Sequence, residues 1–282
     1  MKVGFQAFTI LYIFLKQPLN NMEIGKSFNS IEYYNNEMSK SIKDKLFFLE
    51  KLPKEDYLFI DFGCADGTLI NELQKLVPGS TFVGYDLSEE MLQKAKLRTP
   101  TIKYTNDWYE VIMEIKHSSK KSILILSSVI HEIYSYAKSE QDIINFWNRI
   151  LYTGFDYIIV RDMIPDKNIN RKSKLKDEIK ILRECNRNLL FDFESHFGSI
   201  SNNQNLIHFL LKYRYTVNWN REVNENYIPI YKDEFLNKFT EFDTIYVESF
   251  KVPFLVNCIK QDFNISLKDN THIKAIFKNV KS

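Results

Sequence analysis

The residues best equipped for chemistry are Asp61, Gly63, Cys64, Ala65 and Gly67, with Asp86 about 20 residues beyond them. The first group follows the apolar run Phe59-Ile60, and Asp86 closes a second run, Phe82-Val83-Gly84-Tyr85. Glycine at 63 and 67 reaches backbone angles closed to other residues and lets a ligand approach the main chain. A helix starting near Gly67, with Leu69, Ile70, Leu73 and Leu76 at helical spacing, leaves its first N–H groups unpaired, which favours a carboxylate or other anion there. A carboxylate at the end of the second run can accept from both hydroxyls of a ribose, in charge-assisted bonds worth roughly 1.5 to 3 kcal/mol each. Run, turn, helix, run and carboxylate together describe a β-α-β unit with a nucleotide-like cofactor at its strand ends.

The dinucleotide fingerprint asks for glycine at 63, 65 and 68. The chain has Gly63, Ala65 and Thr68, which would serve a pyrophosphate poorly. Asp61-x-Gly63-x-Ala65-x-Gly67 instead resembles motif I of the class I S-adenosylmethionine-dependent methyltransferases, acidic-x-Gly-x-Gly-x-Gly, departing only at the middle glycine. The resemblance implies S-adenosyl-L-methionine as cofactor and S-adenosyl-L-homocysteine as product. It places Asp61 near the methionine part of the cofactor and Gly63, Cys64, Ala65 and Gly67 beneath its ribose. Asp86 would hold the ribose with Leu87 beside it, Asp107 would contact the adenine, and Ser127 would line the cofactor site at the exit of the fourth strand.

The elements that must position these residues follow the same family. Thr101–Tyr104, Ser122–Ser128 and Phe155–Asp162 read as the third, fourth and fifth strands, and Asp243–Glu248 and His272–Phe277 as the sixth and seventh. The expected fold is α/β, a doubly wound, seven-stranded, mostly parallel sheet with a helical insertion between strands 5 and 6. Residues 1–24 form a hydrophobic extension, 25–165 the core with the cofactor site, 166–226 the insertion, and 227–282 the rest of the core. The insertion reads as a lid whose aromatic and guanidinium groups, Tyr213 and Trp219 among them, could grip a flat or anionic acceptor. The alternative is a helical subdomain with those aromatics in its own core.

A sulfonium makes its methyl electrophilic, so the protein has mainly to align nucleophile, carbon and sulfur; positioning of this kind supplies roughly 7 to 11 kcal/mol. His131, in the segment after strand 4 that the family turns toward the methyl, is the candidate to take a proton from the acceptor, its ordinary pKa of about 6.5 suiting neutral pH. Glu132 would orient it or bind a cationic acceptor, although adjacent helical residues face different ways. Tyr134, Arg161 and Asp162 are candidate acceptor-binding residues because strand ends line the crevice of open α/β sheets. Ser127-Ser128-Val129-Ile130 stands where many amino-methyltransferases carry Asn-Pro-Pro-Tyr or Asp-Pro-Pro-Tyr. The expected reaction is therefore methyl transfer to a small molecule at oxygen, with an RNA or cap methyltransferase and a catalytically silent partner subunit as alternatives.

The 282 residues, 44% hydrophobic, suffice for one enzyme-sized core. A formal charge of +2 is less basic than nucleic-acid-binding domains commonly are. Three scattered cysteines, 64, 185 and 258, fit neither a disulfide framework nor a zinc site, and the five histidines lack ligand spacing. No metal is expected, and a reducing, cytoplasmic setting is. Val3–Leu15 is apolar but too short to span a bilayer; it reads as a weak anchor, a docked helix or an upstream extension, with Met22 an alternative start.

Overall fold

A computed structural model describes residue 42 and residues 44–280; the hydrophobic extension expected over residues 1–24 lies outside them. Each apolar run becomes a strand of one sheet, and each amphipathic segment a helix. In chain order these are β1 (Leu58–Phe62), α1 (Thr68–Leu76), β2 (Thr81–Tyr85), α2 (Glu89–Arg98), β3 (Lys103–Thr105), α3 (Trp108–His117), β4 (Ser122–Ser127), α4 (Ile130–Tyr136), α5 (Glu140–Tyr152) and β5 (Tyr157–Asp162). The helices α6 (Leu175–Glu184), α7 (Arg187–Phe197), α8 (Asn203–Lys212), α9 (Trp219–Glu222) and α10 (Lys232–Leu236) follow, then β6 (Phe242–Phe250), α11 (Pro253–Phe263) and β7 (His272–Asn279).

The seven strands lie in the order β3-β2-β1-β4-β5-β7-β6. Pairing is parallel from β3 through β5, and β7 runs antiparallel to both β5 and β6. This is the doubly wound, mostly parallel sheet expected. The third strand starts two residues later than its apolar run suggested, because Ile102 is held in a turn by its N–H to the Thr99 carbonyl, 3.1 Å.

Because side chains alternate across a strand, each buried strand feeds two cores. Leu58, Ile60, Phe62, Leu124, Leu126, Ile158 and Val160 pack on one face with Phe146, Trp147 and Phe239. Phe59, Phe82, Ile123, Ile125 and Ile159 pack on the other with Phe48, Leu73 and Leu92. A fully buried side chain of this size stabilises by roughly 1.5 to 3 kcal/mol. The same alternation brings Asp61 onto the second face, next to Gly84 of β2 and Ile125 of β4 in register. β6 is the outer strand, and a register shift between Thr244 and Tyr246 bulges it, leaving Ile245 47% exposed.

The described residues divide into the sheet unit and a helical unit made of Lys167–Glu225 and Lys251–Asp269. The segment carrying α11 thus groups with the helices, although the sequence pattern had put it with the sheet. Long-range polar contacts explain this. Tyr213 Oη and Arg214 both donate to Asp262 of α11, at 2.5 and 2.6 Å, and Phe263 packs edge-on to Tyr213. Phe193, against Phe197, His208 and Phe209, forms the aromatic centre of this unit. Among the described residues no helix is long and apolar enough to cross a membrane.

Gly84 marks where the sheet has no room. A Cβ there would overlap the Tyr104 ring and come within 2.8 Å of Cys64 Sγ. Gly84→Ala is expected to cost about 1 to 3 kcal/mol, read as a lower denaturant midpoint at unchanged slope in urea unfolding.

Candidate functional site

Two breaks in adjacent parallel strands build the site. After β1 the chain alternates into the left-handed region at Gly63 (φ 75°), Ala65 (φ 45°) and Gly67 (φ 74°); after β4 it does so at Ser128 (φ 59°). Ala65 and Ser128 are not glycines, and non-glycine residues held at such angles cluster at functional sites. Gly67 could not be replaced even at a relaxed angle, since a Cβ would lie 2.6 Å from the Tyr104 hydroxyl.

The turn is tied to the end of β2. Gly63 and Cys64 donate their N–H groups to the Tyr85 carbonyl at 2.8 and 3.1 Å. Asp86 Oδ2 accepts from the Ala65 N–H at 2.9 Å, and Oδ1 from the Ser88 N–H at 2.8 Å. A carboxylate offers about four lone-pair sites, so Asp86, half-buried, keeps acceptor capacity for a ligand. The next side chain, Leu87, is 76% exposed, an apolar surface beside an open carboxylate. Asp107, at the end of β3, accepts from the Tyr109 N–H at 2.8 Å and caps α3.

The anion expected at the start of α1 is supplied by the chain itself. Asp66 Oδ1 accepts from the Thr68 N–H and hydroxyl, at 3.2 and 2.7 Å, and Oδ2 pairs with Arg98 at 2.5 Å. Cys64 is buried, its sulfur turned toward Gly84, and burial with Asp61 and Asp86 nearby pushes its thiol well above the usual range. It fills space beneath the turn.

Asp61 is 4% exposed, and no hydrogen-bond donor among the described residues reaches its carboxylate. Burial raises its pKa to about 7, Lys45 pulling it down and Asp86 pushing it up. Lys45, which sequence reasoning missed, is half-buried; burial and Arg161 lower its pKa, while Asp61, Asp162 and Asp44 oppose this. The Ser127 hydroxyl at the end of β4 is likewise buried without a partner. An unmatched carboxylate and an unmatched hydroxyl, on adjacent strands beside Asp86, suit a ligand carrying a cationic amino group, a sulfonium and a ribose diol.

Around β5 the pleat separates two candidates that sequence treated alike. Asp162 is 1% exposed and accepts from the N–H groups of Val129, Ile130 and Met163 at 2.9, 2.7 and 2.8 Å. Its Oδ1 also lies 2.8 Å from His131 Nδ1. Burial pushes the Asp162 carboxyl up, but His131 and the backbone donors outweigh this and hold it below the ordinary carboxylate range. Asp162 therefore positions His131 and the start of α4 through these four donors. Arg161 lies on the opposite face. The residue is 6% exposed, and its guanidinium donates to Asp44 at 2.7 Å and lies over the Phe250 ring. Lys274 meets the other oxygen of Asp44 at 2.5 Å, so this group ties the residues before β1 to β5 and β7.

His131, 5% exposed, is also flanked edge-on by Tyr227, whose contribution the sequence did not signal. Glu132 is half-buried in the first turn of α4. Tyr134 accepts from Trp147 Nε1 at 3.0 Å. Tyr213 and Trp219 lie in the helical unit with their polar atoms bonded to Asp262 and Asp192, at 2.5 and 2.7 Å. Those bonds serve packing within the helical unit.

Residues 60–164 match a family model described as a methyltransferase domain. Among solved structures the chain is similar to a SAM dependent methyltransferase from Archaeoglobus fulgidus, with 12% identity, 89% of this chain and 100% of that one covered, and a TM-score of 0.45. It is also similar to the plantazolicin methyltransferase BamL in complex with a triazolic desmethylPZN analog and SAH, with 16% identity, 88% of each chain covered and a TM-score of 0.44. A third is the N-methyltransferase NodS from Bradyrhizobium japonicum WM9, with 8% identity, 88% and 98% covered and a TM-score of 0.41. No curated protein matches by sequence. Residues 60–164, from β1 to just past β5, are thus similar to a methyltransferase domain, which points to methyl transfer as the general chemistry.

The raised pKa of Asp61 has a stability consequence. A group protonated more readily in the folded than in the unfolded state contributes stability at low pH that is lost as pH rises to its folded value. The melting temperature of the ligand-free protein should therefore carry a component that falls between about pH 4 and about pH 7 and levels off above. Asp61→Asn should remove that component; a melting profile identical to the parent's would exclude the assignment.

Proposed function

We propose that the protein transfers the methyl group of S-adenosylmethionine to a small-molecule acceptor at oxygen, with His131 as the proton-accepting residue. The observation that carries this reading is the bond from His131 Nδ1 to the ionised Asp162. Neutral imidazole has one donor and one acceptor nitrogen. With Nδ1–H donated to Asp162, the lone pair lies at Nε2, the tautomer a base requires. Once the ring takes a proton, the Asp162 carboxylate stabilises the imidazolium.

The bound sulfonium supplies an electrophilic methyl carbon. The chain's task is to hold the partners in place. Asp86, its orientation set by the N–H groups of Ala65 and Ser88, would accept from the ribose hydroxyls. Asp61 would pair with the amino group of the methionine part, and Leu87, Asp107, Gly63 and Ser127 would hold the rest of the cofactor. Glu132 and Tyr134 lie on α4 with His131 and contribute to the acceptor's side of the site. An acceptor hydroxyl matches a single neutral base, and the missing Pro-Pro-Tyr segment removes the usual grip on a planar nitrogen.

Asp86→Ala should weaken S-adenosylmethionine binding tenfold or more in calorimetry; unchanged affinity would discard the ribose assignment. His131→Ala should lower turnover of a hydroxyl acceptor by about 100-fold or more while shifting cofactor affinity less than threefold. Equal turnover would make His131 structural.

A further inference from the structure

We infer that the helical unit binds an oligophosphate, a compact chain of two or three phosphate groups, in the lysine-lined cavity between α6 and α11. The cavity measures about 230 Å³ and is bordered by Lys174, Lys176, Lys180, Lys260 and Lys268, with Asp177 the one carboxylate among its lining residues. Charges of one sign collected at this density in a concavity repel one another and concentrate counter-ions of the opposite sign.

The internal contacts leave that charge standing. Lys180 Nζ donates to the Asn264 carbonyl at 2.7 Å and Lys260 Nζ to the Asn264 side chain at 2.6 Å. Two ammonium groups thus converge on one neutral residue. The carboxylate of Asp177 stands 3.9 Å from Lys180, a long contact for an ion pair. Lys174, Lys176 and Lys268 are exposed, and among the described residues their ammonium groups meet no hydrogen-bond or ion-pair partner.

Asn264 is held at φ 51° as the left-handed cap of α11, which fixes the point where Lys180 and Lys260 meet. Ser266, also on the rim, adds a neutral hydroxyl donor. Ammonium groups act toward phosphate as point charges with rotatable donors, and several around one concavity suit an anion with charge on several oxygens. Occupancy there requires nothing of the methyl-transfer chemistry, since every residue involved belongs to the helical unit.

The test is calorimetry of the full chain with tripolyphosphate at low and moderate salt. The expected result is one saturable equivalent, weakened by salt, with affinity reduced tenfold or more in Lys176→Ala/Lys268→Ala. Lys116→Ala, on α3 of the sheet unit, should bind as the parent does. Absence of saturable heat, binding spread over several equivalents, or equal loss in Lys116→Ala would overturn the proposal. Fluorescence anisotropy with a labelled short oligouridine separates the source of the phosphate. Displacement by tripolyphosphate supports the site, and oligouridine that binds but resists displacement overturns it.

Discussion

The buried Asp162 carboxylate is the interaction on which the site's geometry depends. Four donors converge on it: three backbone N–H groups and the imidazole of His131. Two of the backbone groups, Val129 and Ile130, open α4, where unpaired N–H groups would otherwise be buried. A negative charge at that end also meets the favourable end of the helix dipole. One side chain of β5 thereby sets where β4 ends, where α4 begins and how His131 is turned. Removing it would leave several buried donors unmatched, each at a cost of about 1 to 3 kcal/mol.

Asp61 provides the contrast. Both carboxylates are buried at strand ends of the same sheet, 4% and 1% exposed. The one with four donors is held ionised, whereas the one with none among the described residues is pushed to about 7. Desolvation acts on both; for Asp162 the His131 charge, and after it the hydrogen bonds, outweigh it. Environments that drive two titratable groups apart separate a structural role from one open to a ligand. In this sheet the open group is the one beside the left-handed turn.

What could be read from sequence follows how local each feature is. Gly63, Ala65, Gly67 and Asp86 were legible because turn, helix start and strand end lie within one β-α-β unit. Strand order was legible because buried parallel strands are continuous apolar runs. Asp162 was visible as a strand-end carboxylate, but its role depends on which face the pleat gives it and on residues more than 30 positions away. Lys45, Asp44 and Tyr227 carried no signal, since each matters only through a partner distant in the chain. Tyr213 and Trp219 looked like a gripping surface because composition cannot tell an aromatic that faces a ligand from one bonded to Asp262 or Asp192.

The bulge in β6 bears on how the molecule meets its own kind. β6 ends the sheet, and a nine-residue outer strand offers unpaired backbone groups that another chain could extend. The slip between Thr244 and Tyr246 interrupts the regular repeat of donors and acceptors along that border. A neighbour pairing with one half of the strand would be out of step with the other. Glu248 and the half-buried Lys274 place charge near the same margin. At the opposite border β3 is three residues long, too short to template an added strand. Among the described residues, both rims of the sheet thus offer an added strand little regular template, and the apolar strands between them pack into their own core.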